Sequence, residues 1–137
     1  MARSDNQKRK LMLLARLLEQ QTDEAHPMSA QQLIAALAEH GVKAERKSIY
    51  SDIAALQDLG MDICLQNGKN GGYYLASREF ELPELKLLVD AVQASKFLSE
   101  RKTVQLIRKL ETLASRWDAG RLRRQVVVSG RVKTMNE

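Results

Sequence analysis

Apolar residues recur at helical spacing through most of the chain. Leu11, Leu14 and Leu18, widened by Leu13 and Leu17, predict a first helix over about residues 7–21. A polar stretch ending in Pro27 then predicts a loop. Ser29 stands where an N-cap belongs, and Gln32 stands where a capping box is completed. A second helix is therefore expected over 30–40, burying Leu33, Ile34 and Leu37, with Gly41 as the left-handed residue past its end. After a short turn, Ile49, Ile53 and Leu56 predict a third helix over 45–59, closed by Gly60.

The pattern then changes period. Residues 61–66 alternate enough to form a strand, Asn67-Gly68-Lys69-Asn70-Gly71-Gly72 is dense in turn formers, and Tyr73-Tyr74-Leu75 reads as the returning strand of a β-hairpin. Pro83 suits the first turn of a fourth helix over 82–95, with Leu85, Leu88, Val89 and Val92 inward. Ser99 caps a fifth over 100–114, with Val104, Ile107 and Leu110 on one side. Residues 117–124 have helical character, and Val126-Val127-Val128 reads as a lone strand that needs a partner elsewhere. The expected fold class is mainly α with a small β-hairpin: a winged helix-turn-helix over 1–78 followed by a helical extension over 79–125. Residues 126–137 are expected to begin a further domain.

Composition narrows the chemistry. Cys64 is the sole cysteine of the 137 residues, which excludes an internal disulfide and any multi-cysteine zinc site. No apolar run is long enough to span a membrane, and the polar start lacks the apolar core of a signal peptide. The net charge of +5 is unevenly placed. Residues 1–77 hold nine basic and nine acidic groups, whereas residues 78–137 hold thirteen against eight. Bulk charge therefore does not mark the first part as a nucleic-acid binder, and its local clusters must carry that argument.

The third helix supplies such a cluster. At about 100° per residue, Lys47, Ser51 and Ala54 fall opposite the apolar stripe of Ile49, Ile53 and Leu56, with Tyr50 on the flank and Arg46 in the first turn. Asp52 lies beside the buried stripe, and Asp58 is the first acid on the outer face. A helix docked by one face and rich in donors on the other fits the major groove of duplex DNA.

These residues have a family look. Arg46-Lys47-Ser48-Ile49-Tyr50-Ser51-Asp52-Ile53, followed by Leu56, Gly60 and the Gly71-Gly72-Tyr73 turn, resembles the N-terminal winged helix of the WYL-domain transcription regulators over about residues 8–76. The Leu-Pro-Glu-Leu start at 82–85 and the segment 131–136 resemble the linker before that family's sensor domain. The resemblance implies a cytoplasmic bacterial regulator, associated with the nucleoid. Its effector would bind a downstream domain lying outside this chain. Ser51 stands where the family often carries arginine.

The base-reading candidates are Arg46, Lys47, Ser48, Tyr50 and Ser51. The candidates for the DNA backbone are Lys43, Lys69, Asn70, Ser29 and Lys10. The expected partners are double-stranded DNA and a second copy of the chain, paired through helices 82–95 and 100–114. No cofactor, metal or catalytic residue is expected, since His26, His40 and Cys64 lie apart from any ligand or catalytic constellation. Asp52 is expected to hold a neighbouring basic side chain. Residues 101–133 hold ten basic groups against Glu111 and Asp118, which suits further DNA contact or an acidic surface of another domain. The competing reading of the first part is a protein-interaction module with incidental DNA affinity.

Overall fold

A computed structural model describes residues 2–129. It is mainly helical, with one two-stranded antiparallel sheet. The chain divides into two compact units, Met1–Ser77 and Arg78–Glu137.

The first unit contains α1 (Ala2–Gln21), α2 (Ala30–Glu39), α3 (Arg46–Asp58), β1 (Ile63–Gln66) and β2 (Gly72–Leu75). Its core gathers Leu14, Leu17 and Leu18 of α1, Leu33 and Leu37 of α2, and Ile49, Ile53 and Leu56 of α3, closed by Val42, Ile63 and Leu75. Most of the stripes seen in the sequence are thus buried, while Leu11, Leu13 and Ile34 are partly buried against the core. The α2 box forms as expected: Gln32 N donates to Ser29 Oγ at 3.1 Å, and Ser29 N donates to Gln32 Oε1 at 2.8 Å. Gly41 has φ +76°, a conformation that costs glycine nothing, and it turns the chain from α2 toward α3.

The hairpin pairs Ile63 with Leu75 and Gln66 with Gly72, and Gly68 at the tip has φ +118°. Its return strand is also tied to the loop before α2. Met28 N donates to Tyr73 O at 2.9 Å, and Tyr73 N donates to Met28 O at 2.7 Å. This close approach explains Gly72, where an added Cβ would fall on the backbone of Met28 and Ser29. At Gly71 an added Cβ would fall on the Gln66 carbonyl. The glycine pair therefore serves backbone proximity, and neither residue opens a helix.

Thr22 makes a second tie. Its fully buried hydroxyl donates to Leu18 O at 2.6 Å and accepts from Leu75 N at 3.0 Å, joining the end of α1 to β2. Thr22→Val keeps the shape but removes the hydroxyl that accepts from Leu75 N and donates to Leu18 O. Urea unfolding should show a loss of about 1–2 kcal/mol; an unchanged midpoint would mean that this bond contributes nothing.

The second unit contains α4 (Leu82–Ala94), α5 (Glu100–Glu111) and α6 (Arg116–Ser129), which pack on one another around Leu85, Val89, Ile107, Ala114 and Leu122. Two expectations are corrected here. Residues 125–128 are the last turns of α6, not a strand. Ser115 caps the helix by accepting from Asp118 N at 3.2 Å, and Ala119, Leu122 and Val126 then continue at helical spacing into the core. Packing of that stripe overrides the strand preference of three consecutive valines. No unpaired strand remains at 126–128, so the argument from it to a further domain is withdrawn; residues 130–137 lie outside the described residues.

The second correction concerns α5, where Val104 is exposed. The buried residues are Thr103, Ile107 and Glu111, with Leu110 partly buried. The charge of Glu111 is met by Arg123, whose Nε and Nη2 donate to Glu111 Oε1 at 3.1 and 3.0 Å. Among the described residues no helix is long and apolar enough to cross a membrane.

Candidate functional site

The site is built on α3. Ile49, Ile53 and Leu56 are at most 5% exposed and fix the rotation of the helix, which leaves Arg46, Lys47, Ser51 and Ala54 in solvent. This face presents two basic side chains and a hydroxyl over two turns. Asp52 is withheld from it: Lys10 Nζ of α1 lies 3.3 Å from Asp52 Oδ2. The carboxylate that interrupts the basic segment in sequence is thus paired inside the unit.

Tyr50 is 47% exposed and leans toward the hairpin, its ring centroid 6.4 Å from that of Tyr73 and tilted by 50°. Burial, and then the neighbouring Tyr50, push the Tyr73 hydroxyl above its ordinary pKa, so Tyr73 stays a neutral donor and acceptor. Arg46 and Tyr50 form one side of an open cleft of about 490 Å³. Leu65, Gln66 and Gly71 of the hairpin form the other side, and Ser29 and Ala30 meet it at the start of α2. Lys69 and Asn70 stand exposed at the hairpin tip, where Gly71 N donates to Gly68 O at 3.1 Å.

Seven of the ten sequence-derived candidates are thus exposed on this unit: Arg46, Lys47, Tyr50 and Ser51 on α3, Lys43 in the turn before it, and Lys69 and Asn70 on the hairpin. Three are committed elsewhere. Ser48 Oγ accepts from Glu45 N at 3.1 Å and donates to Glu45 O at 2.8 Å, so its hydroxyl closes the start of α3. Ser29 Oγ is used by the α2 box. Lys10 is 8% exposed and paired with Asp52, whereas Lys8 and Arg9 beside it remain in solvent.

No protein-family model, curated protein or solved structure matches this chain.

The site's chemistry must therefore be read from its own groups. Arg46, Lys47, Lys69 and Asn70 offer N–H donors, Ser51 and Tyr50 offer hydroxyls, and none of the outward residues from Arg46 to Ala54 is an acid. Such a surface favours a partner rich in acceptors and negative charge. The described residues hold no group of three or more His, Cys, Asp or Glu side chains able to bind a metal ion. His26 meets Asp23 Oδ1 at 2.7 Å, and His40 Nδ1 lies 3.0 Å from Ala36 O, so both rings serve local turns.

Sequence reasoning missed Thr22, whose polar loop setting hid its buried role, and the choice of Lys10 as the partner of Asp52. The pairing had one visible sign: Lys10 lies one residue before Leu11, on the edge of the apolar stripe.

Proposed function

We propose that the first unit is a winged helix-turn-helix that reads double-stranded DNA, and that the chain is the DNA-binding part of a bacterial transcription regulator of the WYL-domain type. The observation that carries this reading is the outer face of α3, where Arg46, Lys47 and Ser51 are exposed while Asp52 is sequestered by Lys10. α3 enters the major groove, with Arg46 and Lys47 donating to base edges and Tyr50 and Ser51 beside them. Lys43 and the hairpin residues Lys69 and Asn70 contact the backbone or minor groove as the wing.

The regulator acts as a pair of chains, matching the two-fold symmetry of an operator. Leu87, Leu106 and Leu113, exposed by 71%, 37% and 41% on and just after α4 and α5, supply apolar surface for such pairing. The neutral charge of residues 1–77 favours a competing reading, a protein-interaction module.

Salt separates the two readings. Binding of the purified chain to a mixed-sequence duplex should weaken with added salt, with a log–log slope of about −3.6 or steeper, as release of counterions from about four phosphates requires. A flat salt response would favour the interaction module.

A further inference from the structure

The excess positive charge of the chain lies outside the unit that carries the candidate reading helix: α5 and α6 hold four basic groups each, and those of α5 gather on one face. In α5 the buried stripe is Thr103, Ile107 and Glu111. At about 100° per residue, Lys102, Gln105 and Lys109 lie opposite that stripe, with Arg101 and Arg108 at the sides. All five are exposed. The outward half of α5 from Arg101 to Lys109 contains no acid: Glu111 is inside and held by Arg123, and Glu100, which is exposed, stands in the first turn ahead of this stretch. Lys102, Arg108 and Lys109 form no ion pair with any described residue.

We propose that this face is a second, sequence-independent contact with the phosphate backbone of duplex DNA. The proposal rests on the DNA-binding reading above and adds a partner for the helical unit. Three considerations select duplex phosphate over an acidic protein surface. A first unit with no net charge gains little non-specific affinity, yet a regulator depends on such affinity to find its site. Lysine is depleted in the cores of protein interfaces, while phosphate contacts are commonly made by Lys and Arg. Lys102 and Lys109 are also seven residues apart, about 10.5 Å along a helix, which is close to the axial rise of about three base pairs.

The test uses the full chain with Lys102→Gln, Arg108→Gln and Lys109→Gln combined. Glutamine is exposed there and favours helix, so the variant should unfold at the wild-type midpoint, which circular dichroism checks directly. Affinity for a mixed-sequence duplex is then measured against salt for both proteins. The log–log slope should become shallower by about 2.7, which is three phosphate contacts, while the ratio of affinities for preferred and mixed sequences stays the same. A charge-keeping variant, with Arg108→Lys in place of the three glutamines, should retain the wild-type slope. If the wild type binds duplex and the triple variant shows the same slope, the α5 proposal is overturned and the face serves a protein partner or solvent. If the wild type binds no duplex at all, the DNA-binding reading falls, and this proposal falls with it.

Discussion

Lys10→Met should cost the first unit about 3 kcal/mol, seen as a fall of roughly 10 °C or more in its unfolding temperature. The methionine keeps most of the apolar stem but leaves Asp52 without its cation. Lys10 and Asp52 have side chains only 10% and 20% exposed, so water compensates little for the lost partner. Removing one member of a buried pair is far more harmful than removing both. Lys10→Met with Asp52→Leu should therefore recover most of the loss, and a double-mutant cycle should give a coupling of about 2 kcal/mol. Asp52→Leu by itself should be the milder single change, because a lysine stem can carry its charge out to solvent. The opposite outcome, normal stability with weakened duplex binding after Lys10→Met, would restore Lys10 as a surface cation and remove the reason why Asp52 does not oppose DNA.

Lys47→Ala should do the reverse. Lys47 is exposed in the middle of the outward face of α3, and alanine is the best helix former, so stability should change by no more than about 0.5 kcal/mol. Affinity for the preferred duplex should fall by about 1–3 kcal/mol, or roughly 5- to 150-fold, and discrimination at one base position should relax. Lys43→Ala supplies the contrast. Lys43 precedes the helix, so its loss should weaken all sequences about equally and reduce the salt slope by about one. If Lys47→Ala also weakens every sequence equally, Lys47 touches phosphate, and base reading shifts to Arg46. If it leaves affinity unchanged, α3 does not present this face to DNA.

The contrast between these two lysines shows what a single sequence reveals. The apolar stripe of Ile49, Ile53 and Leu56 fixes the rotation of α3, and with it the exposure of Lys47, because helical geometry is local. The α2 cap and the turn at Gly41 were legible for the same reason: Ser29, Gln32 and Gly41 act within four residues of the backbone they serve. Lys10 and Asp52 are 42 positions apart, and only the packing of α1 on α3 brings them together. Ser48 is bonded to the backbone of Glu45, three residues before it. A hydroxyl at the third helical position is drawn to the cap backbone.

In the second unit the errors follow from ambiguity of period and propensity. Val104, Ile107 and Leu110 make as good a helical stripe as Thr103, Ile107 and Glu111, and the choice depends on packing against the other helices, where Glu111 meets Arg123 of α6. Val126 to Val128 favour a strand in isolation. The opposing signal, Ser115 capping Asp118 with Ala119, Leu122 and Val126 at helical spacing, was present in the sequence and identifies α6.

The central claim is that this chain reads duplex sequence. The most direct measurement is to bind the purified chain to a pool of random duplexes at moderate salt, recover the retained fraction through successive rounds and sequence it. The account predicts enrichment of a palindrome whose half-sites are centred about ten base pairs apart, one turn of the double helix. A retained pool no different from the starting pool, held with an affinity indifferent to salt, would contradict it.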